Sequence, residues 1–340
     1  MSVLAELDSL ERVIALGGSR LEVAAGLSAP FGPDAATLPV YRIAIGNGAK
    51  HAAAVGFFGG VHGLERIGSR VVIAFLESLV MRLRWDASLH RLLEQVRLVF
   101  MPIVNPGGML RGTRANPSGV DLMRNAPVDA ADAVPFLVGG QRLSAGLPWY
   151  RGQRGEPMEP ESSNLCETVQ RELLGRPFSL ALDCHSGFGM RDRIWFPYAH
   201  SRKPIVDLAH LHALHEIFSQ SHGHHNYVFE PQSRQYLAHG DLWDHLYACA
   251  RSSPGTVFLP LTLEMGSWLW VKKNPRQLFS RLGIFNPLIA HREQRVLRRH
   301  LPLLDFSIRA AASHALWLPQ GAMRDQHEVS GRASWYGAML

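Results

Sequence analysis

Two short stretches of this chain could act together on one ion. The first is Gly59-Gly60-Val61-His62-Gly63-Leu64-Glu65, with a histidine and a glutamate three apart behind two glycines. Taken alone, His62 and Glu65 read either as two metal ligands or as a turn histidine beside a solvated glutamate. The second is Asp183-Cys184-His185-Ser186-Gly187, with His185 closing an apolar run. A His, a Glu and a His from two strand ends leave one coordination place open, as a catalytic zinc requires and a structural zinc does not. Zinc there would acidify water and polarise a carbonyl. Such chemistry also needs a carboxylate to take a proton. Glu264, at the end of Phe258-Leu259-Pro260-Leu261-Thr262-Leu263-Glu264, offers one. A glutamate closing an apolar run is costly unless it has a partner or a task. It reads either as the salt-bridge partner of an arginine or as a general base.

The stretch 105–125, NPGGMLRGTRANPSGVDLMRN, is dense in Asn, Gly and Pro, as a site-forming loop is. Arg111 reads as a solvated surface residue. Arg114 and Arg124 could clamp a carboxylate or steady a developing oxyanion, because a planar guanidinium presents paired donors. Asp121 is a candidate for the carboxylate behind a ligand histidine, where it would fix the tautomer.

These residues need a scaffold that brings strand ends together. Apolar, β-branched runs predict strands at 40–46, 52–60, 96–104, 178–186, 193–198 and 257–266. Several are apolar throughout, as strands covered on both faces are. Helical patterns fall at 67–84, 162–174, 204–221, 240–250 and 287–315, the last broken by Pro302. In the first, residues 67, 71, 72, 75, 79 and 80 are apolar and share one face. The N-terminal stretch reads as an amphipathic helix, and 126–161 as a long functional loop. Strand–helix alternation argues for one α/β domain with a parallel or mixed sheet. That domain is placed at 1–318, with a polar C-terminal tail at 319–340. In α/β sheets, ligands collect at the carboxyl ends of strands, where His62, Glu65, His185 and Glu264 all fall.

At 340 residues and 46% apolar content the chain can bury a large core. The net charge of +6 comes from scattered arginines with no basic block interleaved with aromatics, which argues against a nucleic-acid partner. A basic surface suits small acidic substrates equally well. Three widely spaced cysteines form neither a disulfide framework nor a thiolate zinc site, so the expectation is free thiols and a cytoplasmic protein. No apolar run is long enough for a membrane span. Histidine occurs 17 times, so a histidine alone is weak evidence of a site.

H-x-x-E, then N-P-G-G, then R-x-N-x-x-G-V-D-L-x-R-N, then a strand ending H-S-G, then T-L-E-M-G appear in that order between about residues 40 and 270. This ordered set resembles the zinc metallocarboxypeptidase family, the carboxypeptidase A-like zinc peptidases. It is most similar to their compact bacterial and cytosolic branches, which include peptidoglycan-peptide amidases; desuccinylases and aspartoacylases are more distant relatives. The resemblance implies a three-layer α/β/α sandwich around a mixed, mainly parallel eight-stranded sheet, and one Zn2+ on His62, Glu65 and His185. It implies that Glu264 is general base and acid, and that Arg114 polarises the scissile carbonyl. It places Asp121 behind His62, and Arg124 on the substrate's terminal carboxylate. The stretch QYLAHGDLWDH resembles the family's mobile tyrosine loop. That makes Tyr236 the tyrosine closing over substrate, followed by Gly240 and Asp244, with Tyr227 as rival.

The chain departs from the family where Met123 replaces an asparagine before Arg124. A thioether cannot replace an amide donor on a carboxylate. Leu64 stands where many members are polar. Trp243 falls where members shape the pocket for the leaving side chain. The expected activity is amide-bond hydrolysis, most simply a metallocarboxypeptidase acting on peptides or peptidoglycan-derived peptides. The alternatives are an N-acyl amino acid deacylase and a catalytically silent zinc-binding module.

Overall fold

In the computed structural model, which describes residues 4–32 and 34–337, the strands are β1 Glu22–Leu27, β2 Pro39–Gly46, β3 Ala53–Gly59, β4 Val96–Met101, β5 Phe178–Ser186, β6 Arg193–Phe196, β7 Val228–Pro231 and β8 Val257–Met265. They form one eight-stranded sheet in the order β1-β2-β4-β3-β5-β8-β6-β7. Its four central strands, β4-β3-β5-β8, are mutually parallel; β1, β2 and the β6–β7 pair join with antiparallel contacts. Every residue of β3, β4 and β5 is buried, including Arg97 in β4 and Ser179, Asp183, His185 and Ser186 in β5, so the apolar remainder of each strand is covered on both faces. Pro260 is tolerated in β8 because β6 pairs only with Thr262–Glu264, beyond it.

The helices are α1 Ala5–Gly17, α2 Arg66–Arg82, α3 Ala87–Leu93, α4 Pro106–Arg111, α5 Pro160–Glu172, α6 Leu208–Ser221, α7 Leu242–Ala250, α8 Trp268–Lys273, α9 Ala290–Ala312, α10 His314–Trp317 and α11 Gly321–Trp335. Helix α2 buries Ile67, Val71, Val72, Phe75, Leu76, Leu79 and Val80, the apolar face its periodicity predicts. It links β3 to β4 through α3, the crossover that two parallel strands need.

Three expectations change. The helix at 287–315 is not broken at Pro302: α9 runs through it, and the break falls at Ser313. Burial of Val296, Leu303, Leu304 and Ile308 on one stripe holds the helix together across a residue that costs about 3 kcal/mol in a helix interior. The stretch read as a polar tail contains α11, which is polar because most of it is exposed; Gly331, Trp335 and Tyr336 are buried. Strand β1 escapes a search for apolar runs because it is a largely exposed edge, and β7 because it has only four residues. Residues 126–159 carry no helix or strand beyond a bridge between Gln141 and Tyr150, as a long loop should. Among the described residues no helix is long and apolar enough to cross a membrane.

Candidate metal centre

The parallel strands bring the candidate residues to one edge. Strand β5 is in register with β8, with His185 opposite Glu264, and Gly59 at the end of β3 is opposite Cys184. The chain leaving β3 carries His62 and Glu65 directly into α2, so both arrive level with His185. Gly63 between them has no room for a side chain: a Cβ there would stand 2.1 Å from the Gly108 carbonyl carbon. Asn105 locks this close approach, capping α4 at Gly108 N (2.8 Å) and donating to Val61 O (3.2 Å).

His62 Nδ1 lies 2.9 Å from Glu65 Oε1, and His185 Nδ1 lies 3.1 Å from Glu65 Oε2 and 3.3 Å from His62 Nδ1. Two ring nitrogens and a carboxylate thus converge on one point, all three residues being buried. Each ring turns its other nitrogen to a separate carboxylate. His62 Nε2 is 3.1 Å from Asp121 Oδ1, and His185 Nε2 is 2.6 Å from Asp183 Oδ2. Such partners leave both Nδ1 atoms free as acceptors for a cation and hold the rings in place. The donor set, its convergence and its outer carboxylates fit one zinc ion.

Asp121 does more than orient His62. Its Oδ2 accepts from Arg114 Nε (2.8 Å) and its Oδ1 from Met123 N (3.1 Å), so one carboxylate fixes His62, Arg114 and the turn that carries Arg124. Burial opposes its charge, yet the Arg114 guanidinium and His62 hold its carboxyl well below the usual carboxylate range. Glu65 is likewise held low against burial, by the charge and hydrogen bonds of His62 and His185. Burial would lower His185, but the Asp183 carboxylate and Glu65 raise it well above an ordinary histidine. Glu264 goes the other way. Burial first, and the charge of Glu65 second, push it up to about 8, while Phe188 N donates to Oε1 (3.0 Å).

His62, Glu65, His185 and Glu264 open into a cavity of about 300 Å³ that is also lined by Arg114, Met123, Arg124 and Tyr236. Arg114 Nη1 reaches Glu65 Oε1 at 3.3 Å. Arg124 is buried, held by Val138 O (3.3 Å) and Met123 O (3.1 Å), with Nη2 3.5 Å from the Tyr236 hydroxyl. Gly240 lies against the Arg124 backbone, where a Cβ would stand 1.8 Å from its carbonyl oxygen. Tyr227 is elsewhere, bonded to His300 Nδ1 (2.8 Å).

Trp243 is a correction. It does not line the cavity: the indole is buried and donates to Asp183 Oδ2 (2.9 Å), the same oxygen that holds His185. Leu242–Ala250 is a helix behind the sheet edge, and its first turn faces the core rather than the cavity. Asp244 also turns away, accepting from Ala199 N and His200 N.

Asp183 was not singled out from sequence. It sits two residues before His185, so both side chains leave β5 on one face, and the D-x-H spacing was the available signal. Its removal supplies a test: Asp183→Asn is expected to weaken zinc binding about 10–100-fold, read by competition with a chromophoric chelator. Unchanged affinity would show that the Asp183 charge does not support His185. The cavity walls Trp149, Phe188, Trp195 and Phe285 were also missed. They come from loops and short strands whose sequences carry no periodic signal.

A family model described as zinc carboxypeptidase matches residues 36–266. Over 196 residues the chain is 22% identical to carboxypeptidase D of Anas platyrhynchos, a match that covers 54% of this chain and 12% of that protein. Bovine thrombin-activatable fibrinolysis inhibitor, solved in complex with tick carboxypeptidase inhibitor, superposes with a TM-score of 0.64 at 19% identity, covering 93% of this chain and 97% of its own. Carboxypeptidase A from Helicoverpa armigera superposes at 0.59 with 17% identity, covering 90% and 72%. These structural likenesses are of fold, and they share the mixed sheet with its flanking helices.

Proposed function

Because the chain belongs to the zinc carboxypeptidase family, we propose that it is a zinc-dependent hydrolase that cleaves the amide bond of the last residue of a peptide, preferring an apolar side chain on that residue. The observation carrying this reading is one cavity lined together by the His62–Glu65–His185 centre, Glu264, Arg114 and Arg124. His62, Glu65 and His185 would hold the zinc, which when bound would supply acidified water and polarisation of the substrate carbonyl. Glu264 takes the proton from the attacking water and returns it to the leaving amine. Arg114 faces the carbonyl oxygen as charge develops on it. Arg124 meets the terminal carboxylate, and Tyr236, beside it, closes over the bound residue.

Side-chain preference follows from the walls. Trp149, Phe188, Trp195, Met123 and Phe285 are apolar or aromatic, and the acids lining the cavity are Glu65 and Glu264, both committed to the chemistry. Among the described residues, a basic side chain, or the free amine of a diaminopimelate residue, would meet no spare carboxylate there. This favours ordinary peptides over peptidoglycan fragments. A reducing, cytoplasmic setting suits the three free cysteines.

The test is a panel of peptides with free or amidated C-termini, diaminopimelate-containing muropeptides and N-acyl amino acids. Release of an apolar C-terminal residue from free-ended peptides alone supports the reading. Cleavage confined to N-acyl amino acids replaces it with the deacylase. Met123 makes a second prediction within the panel. It lines the cavity beside Arg124 but offers no hydrogen-bond donor. Met123→Asn is expected to raise kcat/KM for free-ended peptides about tenfold, the gain from one added bond to a charged carboxylate, and to leave amidated peptides unchanged. Equal effects on both peptide classes would remove Met123 from carboxylate recognition.

A further inference from the structure

Away from the cavity, helices α6 and α11 bring together a second pair of histidines with a glutamate. His212 and Glu216 are four residues apart on α6 and share one face of the helix. His327 comes from α11. His212 Nδ1 is 2.9 Å from His327 Nδ1, and the Glu216 carboxylate oxygens are 3.9 Å from each histidine. We propose that His212, Glu216 and His327 bind one divalent transition-metal ion of the zinc class, which fastens α11 to α6.

The donor set is that of the catalytic centre: two Nδ1 atoms and one carboxylate, drawn from two separate elements. Two Nδ1 atoms at 2.9 Å present lone pairs to each other unless a proton or a cation stands between them. A shared proton satisfies the two rings and gives Glu216 no part. A cation engages all three groups and balances the carboxylate charge. Imidazole donors select zinc, nickel, cobalt or copper over magnesium and calcium.

The surroundings supply both rigidity and access. The His212 ring packs edge-on against Trp335 at 5.7 Å, and Trp335 in turn packs against Phe196 at 4.9 Å. His212 and His327 are only 8% and 14% exposed, whereas the Glu216 side chain is 47% exposed. The carboxylate can therefore close on the rings, and water can fill the remaining coordination places. The benefit to the fold is specific. Helix α11 is mostly exposed and has few apolar anchors, so a metal clamp holds an element whose own burial is small.

The experiment loads the full chain with Zn2+, removes free metal and counts bound zinc per chain. Wild type is expected to hold two ions. His327→Ala and Glu216→Gln are each expected to hold one and to keep wild-type peptide hydrolysis. His62→Ala is expected to lose activity yet still hold one ion. In that background, Zn2+ should raise Tm by about 5 °C, and adding His327→Ala should abolish the rise. Glu216→Gln alters an exposed side chain, so it reads the site even if a histidine variant folds poorly. One ion in wild type with none in His62→Ala overturns the proposal and leaves a proton-sharing histidine pair. Two ions retained in both His327→Ala and Glu216→Gln overturn it as well. Because zinc is counted in the His62→Ala protein, failure of this site is distinguishable from failure of the proposed hydrolysis.

Discussion

Replacing Glu264 by glutamine is expected to leave the catalytic zinc in place and to cut kcat about 10³-fold or more. Glutamine matches glutamate in shape, and its amide oxygen can still accept from Phe188 N, where Glu264 Oε1 accepts at 3.0 Å. The proposed ligands His62, Glu65 and His185 are untouched, so metal content holds. What is lost is a group able to take a proton and give it back. Glu264 is suited to that work because burial and Glu65 push it up to about 8. Its active form is the carboxylate, so the rate falls as pH drops through its pKa. A cation facing Glu65 offsets the second of those causes, so the acid limb of kcat/KM is expected below 8. That limb should be absent from the residual activity of Glu264→Gln. Turnover near wild type removes Glu264 from the proton path. Loss of zinc instead would make it a ligand.

The legible part of this site was the part fixed by strand ends. Runs such as Ala53–Gly59 and Phe178–Ser186 are buried on both faces, so they are largely apolar, and polar residues gather at or just beyond their carboxyl ends. His62, Glu65, His185 and Glu264 stand at those ends, and parallel pairing carries them to one edge. Asp121 was readable because its carboxylate lies in the same motif as Arg114 and Arg124.

Other features depended on packing that spacing does not encode. Trp243 falls at the expected point of its motif, but the first turn of its helix faces Asp183 instead of the cavity. Asn286 is 219 residues from its partner Ile67, whose N–H it accepts at 2.9 Å, while its amide donates to Leu64 O at 2.8 Å. It thereby braces the turn that carries Glu65, and nothing local in its sequence points there. Pro302 misled for a related reason. Its local preference is to end a helix, and the buried stripe of α9 outweighs it.

Arg114→Ala is expected to lower kcat about 10²–10³-fold while leaving KM within a few fold, since in the proposed mechanism its guanidinium engages charge that appears only in the transition state. The geometry makes this more than the loss of a positive charge. Arg114 spends Nε on Asp121 Oδ2 at 2.8 Å, which leaves its terminal nitrogens directed at the cavity, one of them 3.3 Å from Glu65. Burial disfavours the cation, but Asp121 and Glu65 more than offset it, so the guanidinium stays charged at any working pH. A lysine has no fork: its ammonium could meet Asp121 or the carbonyl oxygen but could not span both. Arg114→Lys is therefore expected to recover only a small part of the lost rate. Zinc content separates this role from a structural one. If Arg114 mainly held Asp121 in place, His62 would lose its brace and zinc affinity would fall along with kcat. If Arg114 acts on the substrate, zinc affinity stays near wild type while kcat falls. A variant with reduced kcat, weakened zinc and full rescue by lysine would reassign Arg114 from the carbonyl to the support of the metal centre.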